Sequence, residues 1–128
     1  MIKKRLLLIL RFAVAIILVQ TLRFKFTAHP DSVYIFETIG LEPYGRIGTG
    51  ILELIAGILL LIPKTVWAGA LLTIGLMTGA ILMHLTQIGI EVNNDKGVLF
   101  ITAVVTLVIA AVLLLNFKKE IPFIGSKL

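Results

Sequence analysis

The sequence predicts an all-α integral membrane protein, an antiparallel four-helix bundle with a short interfacial helix in its first, outer loop, forming one domain over residues 1–128. Three observations predict it. The chain is 59% hydrophobic and 15% charged, with a mean hydropathy of +1.08, whereas a soluble domain is about half apolar and about a quarter charged. So little polar sequence cannot cover a core, and a large apolar surface is left to face lipid. The apolar residues also fall into four segments, each long enough to cross about 30 Å of hydrocarbon at about 1.5 Å per residue. Finally, the last two connections are too short for anything but adjacent antiparallel helices.

The first span covers about residues 6–22 and follows Lys3, Lys4 and Arg5. It reads as a retained anchor and not as a cleaved signal, because Arg11 interrupts the apolar run and Ala13-Val14-Ala15 lies inside it. Arg11 sits near the start of the span, where its long side chain is expected to reach the head groups. The outer loop contains "HPDSVYIFETIG", in which Pro30 with Asp31 or Ser32 reads as a helix start and Gly40 as a stop. Val33, Phe36 and Ile39 share one face, so a short helix over about residues 31–40 is expected on the membrane surface, with a plain loop as the alternative. The second span covers about 45–62 and ends in the turn Pro63-Lys64-Thr65. The third covers about 67–90, and "EVNNDKG", with turn chemistry at Asn93, Asn94 and Gly97, leads into the fourth at about 98–116. Tyr44 and Trp67, at span ends, read as interfacial anchors.

Charge gives the orientation. Leaving Arg11 aside, one side carries seven basic residues (Lys3, Lys4, Arg5, Lys64, Lys118, Lys119 and Lys127) and the other four (Arg23, Lys25, Arg46 and Lys96). The positive-inside rule then favours an inner (plasma) membrane protein with both termini cytoplasmic. The net charge of +5 belongs to this pattern, and no interleaving of basic and aromatic residues points to nucleic acid. With no cysteine, dithiol and disulfide chemistry is excluded. Two histidines are too few for a metal or bis-histidine haem site, and no nucleophile elbow, phosphate loop or paired-carboxylate pattern is present.

Eight of the eleven glycines, from Gly45 to Gly89, lie in the second and third spans, which are therefore expected to pack most tightly, with Gly75 and Gly79 as a GxxxG pair serving packing or dimerisation. In "GILELIAGILLLIPK" the single carboxylate is Glu53, about two turns from Arg46; His84 lies at a similar height on the third span. Acid and imidazole are expected to meet in the outer half of the bundle. Thr49, Gln87, Gln20 and Thr102 fall near the same level and complete a candidate polar cluster, with Arg23, Lys25 and Arg46 as candidate counter-charges for Glu53. Two readings stand side by side. In one, Glu53 and His84 bond across helices to fix register; in the other, Glu53 exchanges a proton with a bound quinone, a small acid or a relay through His84.

The ordered set formed by Lys25, His29-Pro30, Gly40, Glu53, Gly57, Pro63 and His84, within "HPDSVYIFETIGLEPYGRIGTGILELIAGILLLIPKT" and "WAGALLTIGLMTGAILMHL", resembles the DoxX-like family of small four-helix membrane proteins over about residues 11–116. The resemblance implies the four-helix fold. Because the family's namesakes are subunits of a thiosulfate:quinone oxidoreductase and some relatives look like partners of redox enzymes, it also implies an accessory subunit of a quinone-linked membrane assembly, with quinone as the cofactor and a redox enzyme as partner. The alternatives are a non-enzymatic scaffold or chaperone-like partner of another membrane protein, with a homodimer as one form of contact, and, more remotely, a carrier for a small lipophilic solute.

Overall fold

The computed structural model describes residues 2–27, 29–42, 44–90 and 97–121. Among these residues the chain is entirely helical: α1 (Ile2–Phe26), α2 (Pro30–Thr38), α3 (Tyr44–Leu61), α4 (Val66–Met83) and α5 (Val98–Phe117). A 3-10 turn, Pro63–Thr65, precedes α4, a π-helical turn, His84–Ile88, continues it, and a second 3-10 turn, Lys118–Glu120, follows α5. Four helical stretches, Lys3–Phe26, Tyr44–Leu61, Pro63–Ile88 and Val98–Phe117, are long and apolar enough to cross a membrane. The turn expected at Asn93 and Asn94 lies outside the described residues.

Each long helix buries one narrow stripe at spacings of three and four residues, which is the period of an α-helix facing a bundle. In α1 the stripe is Arg11, Val14, Ala15 and Leu18. In α3 it is Arg46, Gly50, Glu53, Ala56, Gly57 and Leu60. α4 buries Val66, Gly69, Ala70, Thr73 and Met77, and α5 buries Ala103, Thr106, Ala110 and Leu113. Small residues dominate these stripes because, in lipid, close backbone approach and van der Waals packing replace hydrophobic collapse between helices. The opposite faces carry exposed Ile, Leu, Val and Phe, as a lipid-facing surface requires. α1 packs along α3, α3 along α4, and α4 along α5, while α5 returns to α1.

The most extensive pairings are α1 with α3 and α4 with α5, not α3 with α4 as the glycine distribution suggested. What the α3–α4 contact does have is a backbone-level approach at Gly69, where an added Cβ would stand 2.8 Å from the Leu60 nitrogen and 2.9 Å from the Ala56 oxygen. The GxxxG pair is not part of it: a Cβ at Gly75 or Gly79 would meet nothing within 4 Å. Residue type alone marks a helix as able to pack closely; the azimuth of each glycine decides where.

Two arginines cap helix ends on neighbouring helices. Nε of Arg11 donates to the Leu60 carbonyl at 2.8 Å, and its guanidinium lies 5.9 Å from the Phe117 ring centre. Arg11 is thus buried and partnered within the bundle, which corrects the expectation that it reaches for head groups. The cause is the end of α3. The last carbonyls of a helix lack intrahelical partners, Ile62 is already extended, and the Thr65 hydroxyl takes the Leu59 carbonyl, leaving that of Leu60 for Arg11. At the far end of α1, Arg46 donates to the Lys25 carbonyl while holding Glu42 through Nε, with contacts of 2.8 and 3.0 Å to the two carboxylate oxygens.

Candidate functional site

α1 does not stop at Leu22, as its basic flank suggested, but continues to Phe26. That extra turn carries Lys25 inward on the same face as Thr21, one turn earlier, because residues four apart align on a helix. Both reach Glu53. Lys25 Nζ lies 2.8 Å from Oε1 and the Thr21 hydroxyl donates to Oε2 at 2.7 Å. Glu53 is 2% exposed and Lys25 13%, so the pair is withdrawn from solvent. Of the three candidate counter-charges, Lys25 is the one that pairs with Glu53; Arg46 is committed to Glu42, and Arg23 is exposed on α1.

His84 occupies the point where α4 turns into π-helix. The Gly89 N–H donates to the His84 carbonyl at 2.8 Å, and the His84 ring nitrogen Nδ1 lies 2.9 Å from the Gly89 carbonyl. A carbonyl only accepts, so Nδ1 carries the hydrogen and Nε2 is the nitrogen left for another partner. Gly89 has φ 89° and ψ 168°, a backbone region essentially confined to glycine, and this brings its carbonyl back to the ring. Phe100 packs edge-on to the imidazole with ring centres 5.6 Å apart. The expected meeting of Glu53 and His84 is therefore replaced by separate partners, Lys25 and Thr21 for one, Gly89 and Phe100 for the other. Each side chain's height was readable from rise per residue, but its facing direction was not.

The two groups nevertheless border one cavity of about 330 Å³. Its walls are mostly apolar, with Ile17, Leu18, Phe24, Ile35, Phe36, Ile39, Leu76, Met77, Met83 and Ile88 among them, and all five helices or their flanks contribute. Thr49 and Thr102, both foreseen in the polar cluster, also line it, whereas Gln20 and Gln87 are exposed and do not. Thr102 satisfies its hydroxyl on the Val98 carbonyl at 2.8 Å. α2 contributes one side of the cavity. His29 caps α2 by accepting the Asp31 N–H on Nδ1 at 3.1 Å and stacks on Phe24, ring centres 4.7 Å apart, while Pro30 fills the first helical position. Leu41 N–H to the Phe36 carbonyl at 2.8 Å and Gly40 N–H to the Glu37 carbonyl at 3.1 Å close the other end.

Ser32 and Thr21 were missed by the sequence reasoning. For Thr21 the signal was present, a hydroxyl four residues before Lys25, but it required the helix to run past Leu22. Ser32 is fully buried, borders the cavity, and its Oγ has no hydrogen-bond partner among the described residues. Chemically, the arrangement offers an ammonium bound to Glu53, a buried hydroxyl without a partner among the described residues and an imidazole held through Nδ1, all bordering an apolar space, with the two full charges cancelling each other.

No curated protein and no solved structure is significantly similar to the chain. A family model described as DoxX matches residues 6–86, from the first span to just past His84, so the stretch holding Lys25, His29-Pro30, Glu53, the Gly69 approach and His84 lies within the match, and the chain belongs to the DoxX family as a multi-pass membrane protein.

Proposed function

We propose that this DoxX-family protein is an accessory subunit of a quinone-linked membrane redox assembly, and that the cavity holds the quinone head. The observation that carries the proposal is the 330 Å³ apolar space into which a few polar groups converge, the usual build of a small-molecule site. The residues fit such a ring. The unpaired Ser32 hydroxyl and the ammonium of Lys25 are donors suited to carbonyl oxygens, and the apolar walls suit the ring and the start of its tail. A bound quinone would supply two-electron, two-proton chemistry. The chain's own residues hold it, keep water from it, and present His84 Nε2 as a proton acceptor at its edge.

The topology belongs to the proposal: an antiparallel single-domain bundle in the inner membrane with both termini cytoplasmic and α2 lying along the outer surface. The reciprocal caps support the antiparallel arrangement, since Arg11, early in α1, meets the end of α3, and Arg46, early in α3, meets the end of α1. The seven-to-four distribution of basic residues supports the orientation.

A second reading has its own support. Both carboxylate oxygens of Glu53 are engaged by α1, which favours a structural clamp in a scaffold that partners another membrane protein, or a second copy.

Purification in mild detergent, followed by solvent extraction and mass spectrometry, tests the main reading. Quinone is expected to co-purify with the wild-type protein together with an oxidoreductase. Gly79→Leu, whose side chain enters open space beside the cavity, is expected to remove the quinone while leaving the protein folded. Wild-type protein free of quinone, or equal amounts in both, would rule the ligand out; an oxidoreductase retained without quinone would leave the scaffold reading.

A further inference from the structure

We infer that the cavity is selective for neutral lipophilic molecules whose head carries a hydrogen-bonding oxygen, and that Ser32 is the residue that engages this oxygen. The inference rests on the ligand-binding reading above and narrows it to a ligand class and an anchoring residue.

A buried serine or threonine within a helix normally bonds the carbonyl of the preceding turn. The other buried hydroxyls among the described residues, Thr73 and Thr106, donate to the carbonyl four residues back, to Gly69 at 2.8 Å and Thr102 at 2.7 Å. Ser32 lies in the first turn of α2, where no carbonyl of the same helix stands four residues earlier. Its other customary task, capping the helix start, is taken by His29 Nδ1. Both of these outlets are closed, and Oγ is left buried, without a partner among the described residues, in a residue that borders the cavity. An unsatisfied buried hydroxyl is costly, and such groups are normally paired. A ligand oxygen that completes the bond repays that cost on binding.

Charge defines the rest of the class. The cavity's anion and cation are bound to each other at 2.8 Å, and the second oxygen of Glu53 is held by Thr21. An anionic head would have to compete with Glu53 for Lys25, and a cationic head would have to compete with Lys25 for Glu53. Either leaves a charge without a partner in an apolar space, which is strongly unfavourable. A neutral head disturbs neither, and the walls take the apolar remainder.

The test uses purified protein in detergent, wild type and Ser32→Ala, with three probes: 2-methyl-1,4-naphthoquinone, the same bicycle without oxygens (2-methylnaphthalene), and 1,4-dihydroxy-2-naphthoate. Dissociation constants and thermal midpoints are read for each. Wild type is expected to bind the quinone about three- to tenfold more tightly than the hydrocarbon, the range of one hydrogen bond, and the carboxylate more weakly than the quinone. Ser32→Ala is expected to remove most of the preference for quinone, Lys25 being the donor that remains, and to leave hydrocarbon affinity unchanged, which also certifies an intact cavity. Ligand-free Ser32→Ala is expected to melt higher than wild type, because its unpaired hydroxyl is gone.

Equal wild-type affinity for quinone and hydrocarbon, or a Ser32→Ala variant that keeps the preference, overturns the role of Ser32 while the cavity reading survives. Tighter binding of the carboxylate overturns the neutral class. A ligand-free Ser32→Ala variant that melts at or below the wild-type temperature shows the hydroxyl to be satisfied already and overturns the inference. Absence of binding by all three probes overturns both this inference and the reading beneath it.

Discussion

The two ends of the bundle are built on different principles. At the end where α3 turns into α4, Leu60, Val66, Ala70 and Leu113 are fully buried, Gly69 brings two backbones together, and Arg11 closes the remaining carbonyl. At the other end, the same four helices separate around a cavity, α2 contributes a wall, a π-turn replaces the regular helix, and Ser32 is left unpaired. The core cluster links the two, with Leu18, Met77 and Ala103 belonging both to the core and to the cavity wall. The contrast teaches a division of labour. Tight packing concentrates at one end, while the other keeps a void and one unmet hydrogen bond, the features of the proposed binding site, beside the satisfied clamp of Lys25 and Thr21 on Glu53.

Substitutions put this contrast to the test. The largest effect is expected at the charged pair beside the cavity. Lys25→Met leaves Glu53 buried with its charge unmatched and should cost about 3–5 kcal/mol, read by unfolding in mixed detergent micelles. Adding Glu53→Gln removes the charge while keeping an acceptor for Thr21, and most of the loss should return. A double variant as unstable as the single one would mean that Lys25 acts through packing and not through its charge. Next comes Arg11→Met, which orphans the Leu60 carbonyl and should cost about 1.5–3 kcal/mol by the same assay, with ligand binding unaffected because the change lies at the closed end. Loss of binding at unchanged stability would contradict the separation of the two ends. The smallest effects come from glycine. Gly69→Ala forces α3 and α4 apart and should cost about 1–3 kcal/mol. Gly75→Ala meets open space and should be neutral or stabilising by about 0.5–1 kcal/mol, the gain expected of alanine within a helix. Destabilisation by Gly75→Ala, accompanied by a change in oligomeric mass, would assign that glycine to a contact between copies.

Much of the architecture was legible because the bilayer imposes length and hydropathy on any helix that crosses it. The four spans and the short α2 follow from residues that punctuate strongly, such as Pro30, Gly40 and Pro63. The candidate site was legible in part. Glu53 and His84 stood out as polar groups in apolar runs, and both border the cavity. Their partners were not legible, for a geometric reason. A sequence gives the height of a residue along its helix but not the rotation of that helix against its neighbours, so Glu53 could face α1 or α4 at the same level. Lys25 and Arg23 both read as flanking charges, and only the continuation of α1 to Phe26 separates the inward one from the exposed one. Arg11 was misjudged similarly, since its acceptor exists only because α3 ends where it does.

That acceptor bears on how the protein is made. The Leu60 carbonyl lies 49 residues downstream of Arg11, so synthesis completes α1 before it reaches the group that receives the guanidinium. Until α3 follows, the charge needs water or another polar partner. Burial of that guanidinium with a partner is thereby tied to the arrival of α3.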